Sequence, residues 1–352
     1  MTILRTADFG RENAESLRQV GYAILTEVCD EVTRRLKARP SGDDQIADDG
    51  IFDPIVESYT ISSVLNGEYS KLYRDIANQV WEEVRNFEQT SSTLNKRRLF
   101  FFMALCSIYS GDEINATIYW ELTSAEEARL AKTNSSIDSI IEQMEKNFVS
   151  ITRPVQKSIN SNGFLEHLRK NSTLNFDFGS VSASLSNVSR LSLLTCGVRY
   201  NKIGRWLNSD YEGEMVRRYA EELLSSLCIL SETILKLHRP EVTQMTMGGI
   251  LHNDLQKLSA NISKEWKAIL ANYPTKTDAE FNASLPSLLT AMRNGMHEDT
   301  LKAAVIHCAY MCRNKVLHEA TVARVYYSNP QLFDDIIGAL FMAAKVVRDL
   351  KV

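Results

Sequence analysis

Apolar residues recur at three- and four-residue intervals along most of this chain, and that spacing leaves little room for anything but helices. AESLRQVGYAILTEVCDEVTRRLKA (14–38) sets Leu17, Val20, Ile24, Val28 and Val32 on one face. Further helices are expected at about 69–89, 95–109, 112–132, 135–149, 213–238, 249–270, 279–293, 299–317 and 331–350. Runs that alternate β-branched and polar residues are almost absent, so the fold class is all-α.

Punctuation sets the boundaries. RPSGDDQIADDG (39–50) combines Pro, Gly and acids and reads as a loop. Asp112 is placed to cap a helix ahead of the periodic Ile114, Ile118 and Leu122. Asn329-Pro330 pairs a cap with a proline at the first helical position, and Pro286 falls in the early turns of another helix. Residues 158–192 change character: Ser and Asn dominate, and FDFGSVSASLSNV alternates polar and apolar residues as an extended segment or short hairpin would. The chain therefore reads as a helical region (1–157), a Ser/Asn-rich connection (158–205) and a C-terminal helical bundle (206–352).

At 352 residues there is room for two ordinary domains or one large helical one. A net charge of −4 provides no whole-molecule field for nucleic acid, so any such contact must be a local site. The six cysteines are scattered, mostly within apolar helical runs, which suits reduced core thiols better than a disulfide framework. The first residues, MTILRTADFGRENAESL, lack an apolar secretory core, and no apolar run approaches the roughly 20 residues of a membrane span. A cytoplasmic, soluble protein without membrane contact is expected.

The chemistry concentrates at RNKVLHE (313–319). AAVIHCAYMC (303–312) holds no formally charged residue and should be buried on most faces. Counting 100° per residue from Arg313, residues Ile306, Ala309, Tyr310 and Leu317 fall within about 60° of it. Arg313 thus projects from an apolar stripe and needs either a partner or an opening. Asn314 and His318 share a second face, with His307 one or two turns behind. These residue types suit metal-free RNA cleavage. A histidine can move protons near neutral pH, an arginine grips phosphate with a fork of donors, and an asparagine orients the histidine or donates to the phosphate.

Arg313, Asn314 and then His318 after four intervening residues resemble the R-x(4–6)-H signature of the HEPN (higher eukaryote and prokaryote nucleotide-binding) superfamily, whose nucleases commonly carry Asn after the arginine. The context is similar too: an apolar helix before the motif, then a short loop and a final amphipathic helix, LFDDIIGALFMAAKVVRDL. The resemblance covers about the last 140 residues and places nothing in residues 1 to 190. It implies a helical bundle that homodimerises and cleaves RNA without metal or other cofactor, each protomer lending Arg313 and His318 to one composite cleft. It also implies a toxin or phage-defence role, with an antitoxin or nucleotidyltransferase as possible partner.

RNGMHE (293–298) offers a near-copy with one residue fewer between arginine and histidine; Gly295 marks it as a loop between two helices, although Arg293 or His297 could line the same cleft. Lys315 and the basic patch RYNKIGRW (199–206), which includes Arg205, are further candidates for tracking an RNA backbone. His307, Cys308 and Cys312 have no second ligand pair at metal-finger spacing and read as core. So do the phenylalanines of NKRRLFFF (95–102). Gly248-Gly249 lacks a preceding strand and the Lys-Ser/Thr of a phosphate loop, which leaves a helix–helix connection. The alternative to an endoribonuclease is a non-catalytic binding or scaffold protein that uses the same cleft for protein or nucleotide contacts.

Overall fold

Every regular element among the described residues of this computed structural model is a helix, so the chain is all-α. The described residues are 27, 30–38, 74, 78–83, 85–86, 94–110, 112–131, 155–207, 214–239, 241–316 and 329–350. The expected helix at 135–149 lies outside them. None of the described helices is long and apolar enough to cross a membrane. The chain divides into two compact units, Met1–Ile151 and Thr152–Val352.

In the first unit, α1 (Arg97–Ser110) packs against α2 (Glu113–Ala131). Asp112 starts α2 by accepting the Asn115 N–H at 3.1 Å, and Arg74 approaches its other oxygen. Phe100 and Phe102 are buried core, and Trp81 meets Phe100 edge-on with centroids 4.9 Å apart. The face of α2 that turns inward is Ala116, Trp120, Thr123 and Leu130. The periodic Ile114, Ile118 and Leu122 lie on the outward face, with Ile114 74% exposed. Thr123 serves as small core surface because its hydroxyl is satisfied by the Tyr119 carbonyl at 2.8 Å.

The second unit begins at Thr152, close to the end of the helical region expected at 157, and it takes in the segment expected as a connection. The segment read as a connection with a possible hairpin is helical: residues 155–160, α3 (Gly163–Asn171), α4 (Phe178–Ala183) and α5 (Asn187–Leu207). Its serines disguised a helical spacing, since Phe178, Val181, Ser182 and Leu185 are all buried and stand three, four and seven residues apart. Asn162 caps α3 through the N–H groups of Phe164 and Leu165, and Asp177 caps α4 through that of Ser180.

From there α5 packs on α6 (Glu214–His238). The expected helix at 249–270 is instead two. The first, α7, runs as Met247–Gly249, a π turn at Ile250–Asp254 and Leu255–Leu258. Gly248 and Gly249 belong to its first turn, not to a connection, and Gly248 faces the Tyr310 ring. Ser259 is extended (φ −162°, ψ 109°) and caps α8 (Ala260–Asn272), which breaks the run. The π turn surrounds the buried Asp254, whose carboxylate accepts the backbone N–H groups of Thr243 at 2.9 Å and Gln244 at 3.1 Å. Those bonds and Lys257 hold its pKa low although burial alone would raise it.

The last three helices are α9 (Asp278–Arg293), α10 (Glu298–Val316) and α11 (Pro330–Asp349). A reciprocal box between Thr277 and Glu280 opens α9. Pro286 is inside that helix rather than near its start, at the ninth residue, so it marks no edge. Asn329 caps α11 through Leu332 N–H, with Pro330 at the first position as expected. From Phe333 to Val347 nearly every side chain of α11 is buried, against α3, α6, α9 and α10.

The entry of α11 is tied to α3 and α5 by polar bonds. Asn162 Nδ2 donates to the Asp334 carbonyl at 2.8 Å and to the Tyr200 hydroxyl at 3.1 Å. Tyr200 in turn donates to the Asp334 carboxylate, and Gly163 N–H reaches its other oxygen at 3.0 Å. Gly338 permits this approach: a Cβ there would collide with the Asn162 amide oxygen and lie 2.9 Å from Phe164 Cβ. Gly338→Ala is therefore expected to lower stability by roughly 1–3 kcal/mol, the usual effect of overpacking. Urea unfolding followed by circular dichroism measures it, and an unchanged midpoint would refute the tight contact.

Candidate functional site

The centre of the second unit is α10, in contact with α6, α8, α9 and α11. Ala303 to Ala309 are fully buried, as are Met311 and Cys312, which accounts for the charge-free sequence. Arg313 follows in the last turns. The partner its position demands is Glu232 of α6: Arg313 Nε donates to Glu232 Oε2 at 3.1 Å, with the two side chains 19% and 12% exposed. Lys236 reaches the other carboxylate oxygen at 2.5 Å. Among the described residues the Nε bond is the guanidinium's only hydrogen bond. Its two terminal amino groups, the fork that matches phosphate oxygens, are not consumed by it. Asn314 beside it is half-buried. His318 lies outside the described residues.

The other sequence candidates are not gathered around Arg313. Lys315 is buried and pairs with Asp278 at the start of α9. Arg293, at the far end of α9, is clamped by both oxygens of Asp335, Nε at 2.9 Å and Nη2 at 2.5 Å, and lies over the Phe164 ring at 5.5 Å. The backbone carbonyl of Arg293 accepts from His167 Nε2 at 2.7 Å. His297 is exposed in the turn before α10, next to Gly295 with φ +94°. Sixteen residues of helix separate it from Arg313, roughly 24 Å. Arg293 and His297 therefore do not line a cleft with Arg313 within one chain, and Arg293 locks α9 to α11. The side chain of Arg205 lies outside the described residues.

His307, two turns behind the motif, is buried and donates from Nε2 to the Tyr273 carbonyl at 3.0 Å, which fixes its tautomer. Its Nδ1 is buried without a partner. Burial pushes its pKa down to about 4, against the opposing effect of the Tyr273 bond. It is a neutral core residue near pH 7, packed against Trp266 and Tyr310. Cys196, Cys228, Cys308 and Cys312 are buried thiols that form no disulfide. Burial pushes the Cys228 thiol well up, with Cys312 and Cys196 adding and Arg313 opposing. Among the described residues no group of three or more His, Cys, Asp or Glu side chains is arranged to hold a metal ion.

The carboxylate partners are what sequence reasoning missed. Glu232 had a faint signal, an acid at three- and four-residue spacing from Cys228, Ile229 and Leu235 on α6. Asp335 had the adjacent pair of acids, Asp334 and Asp335, in the second turn of the otherwise apolar α11. Neither signal names its cation. The chain matches no family model, no curated protein and no solved structure.

His307 makes stability pH-dependent with a definite sign. Its folded pKa is depressed, so folding is unpenalised above the ordinary value of 6.5 and loses stability as the pH falls from there toward about 4. The loss on completing that fall is on the order of 3 kcal/mol. Urea unfolding at pH 7.5, 6, 5 and 4.5 measures the slope. His307→Gln, which keeps a donor for Tyr273 but does not titrate, should flatten it, and an unchanged slope would place the titrating group elsewhere.

Proposed function

We propose that this chain is a metal-independent endoribonuclease of the HEPN type, with Arg313 and His318 catalytic and Asn314 supporting. The observation that carries the reading is the state of Arg313: fixed at Nε by Glu232, half-emerged at the end of a buried helix, with its terminal fork uncommitted. A guanidinium held this way is pre-oriented, so less freedom is lost when phosphate docks. Glu232 takes charge from both Arg313 and Lys236, so the trio keeps a net positive charge to offset that on the scissile phosphate.

In the reaction, a base removes the proton from a ribose 2′-hydroxyl, whose oxygen attacks the adjacent phosphorus. The 5′-oxygen leaves with a proton from an acid, giving a 2′,3′-cyclic phosphate and a 5′-hydroxyl. His318 serves as base or acid, and Arg313 stabilises the charge that builds on the phosphate oxygens. The motif supplies one histidine per chain, so two proton transfers call for a second copy across a two-fold axis near residue 313.

A second reading is favoured by a different observation. Arg313, Lys315 and Arg293 each face a carboxylate of another helix. If that pairing is their whole role, the protein is a non-catalytic binding or scaffold module.

The two readings separate by assay. The purified chain should cleave single-stranded RNA in EDTA and leave 2′,3′-cyclic phosphate ends. His318→Ala should lower the rate by roughly 10²–10⁴. Arg313→Ala should abolish cleavage, with Lys a poor substitute because the donor fork is gone. Activity lost to chelation and restored by one metal would sink the mechanism, and unfolding of His318→Ala would favour the scaffold.

Dimerisation is checked separately. Light scattering at micromolar concentration should give a dimer, and a strict monomer with intact cleavage would remove the composite cleft.

A further inference from the structure

A second site stands at the other end of α10. The C-terminal turns of α11, the first turn of α10, the start of α8 and Arg239 just after α6 enclose a cavity of about 900 Å³. Lys302, on its wall, stands eleven residues before Arg313 along α10, roughly 16 Å away. That volume is in the range of small-ligand sites. Its charged lining consists of four cations and three carboxylates.

The carboxylates are all answered. Lys302 Nζ lies 2.5 Å from Glu298 and 4.0 Å from Asp299, and Thr173 donates its hydroxyl to Glu298 at 2.6 Å. Asp349 accepts Lys345 Nζ and Arg348 Nε, each at 2.6 Å. Arg348 further donates to Ser184 Oγ at 2.8 Å and to the Ser180 carbonyl at 3.1 Å. Arg239 is different. Among the described residues it has no carboxylate partner, its one hydrogen bond runs to the Arg348 carbonyl, and its Nε is buried with no acceptor. A permanently charged group with five donors is thus left in a cavity wall with most of its capacity unspent. Nε is sealed from the cavity, but the terminal amino groups are not, and an anion in the cavity is an acceptor that they can meet and that also balances the charge.

We infer that this cavity binds the phosphate group of a phosphomonoester, with Arg239 as its anchor. The guanidinium meets two phosphate oxygens at once. Lys302 and Lys345, already drawn to the cavity by their carboxylates, supply further positive charge. The cavity far exceeds a lone anion, and hydroxyl-bearing Thr173 and Ser259 on its wall suit a polar body such as a nucleoside. The inference is independent of the Arg313 reading, because neither the residues nor the assay below involve cleavage.

Calorimetric titration of the full chain at low salt, with adenosine 5′-monophosphate, inorganic phosphate and adenosine as probes, tests it. The monophosphate should bind saturably at one site per chain, phosphate more weakly, and adenosine not at all, with affinity falling as salt rises. Arg239→Gln should weaken monophosphate binding about tenfold or more, and Arg239→Lys should keep part of it. Lys267→Gln, an exposed change on α8 outside the cavity, should leave it unchanged. Should Arg239→Gln fail to fold, Lys302→Gln replaces it, with a severalfold loss expected. Wild-type affinity in the folded cavity variant, adenosine binding as tightly as the monophosphate, or no saturable binding of either anion overturns the proposal.

Discussion

A helix that is apolar on all sides can only lie inside other helices, and α11 imposes that condition on the second unit. Fifteen residues of nearly continuous burial require neighbours on every face, and α3, α6, α9 and α10 provide them. Burial also removes water from the polar groups at its entry, so each must be answered by protein. Asn162, Tyr200 and Gly163 answer Asp334, and Arg293 with Gln331 answers Asp335. These bonds add little net stability individually, yet leaving one partner unpaired would carry the full penalty of a buried polar group. They therefore fix where the last helix can enter, and through it the placement of α10.

The same unit joins helices by cation–carboxylate pairs: Arg293 with Asp335, Lys315 with Asp278 and Arg313 with Glu232. The first is bidentate and closed on itself. The third is held by one nitrogen and leaves the two terminal amino groups without a hydrogen bond among the described residues. That asymmetry separates a clamp from a handle, and two motifs of nearly identical sequence, RNKVLH and RNGMH, are distinguished by it.

Legibility in the sequence followed the physics of each feature. Periodicity identified α10 and α11 because their apolar residues are continuous, and local chemistry identified the Asn329-Pro330 entry because a cap acts within three residues. Periodicity was a poorer guide to which side is buried. On α2 the large Ile114, Ile118 and Leu122 are outside while Ala116 and Thr123 are inside, because close packing against α1 selects small surfaces that hydropathy does not rank. The Ser-rich stretch at 158–205 misled for a related reason: Ser182, Ser189 and Ser192 are buried, acting as small residues rather than as solvated ones. At the candidate site, the position of Arg313 and its need for a partner were readable, but Glu232 is 81 residues earlier and no local rule reaches that far.

The π turn of α7 carries one residue more than an α turn, so the helix before Ile250 and the helix after Asp254 are out of phase by about 100°. It behaves as a one-residue insertion that the helix has absorbed without breaking. Deleting a single residue there would not shorten a loop; it would rewind the coil, rotate Asp254 away from the Thr243 and Gln244 amides, and cut the tether between α7 and the two residues that Asp254 holds ahead of it. Length, at this point of the chain, is a coordinate of the fold in its own right.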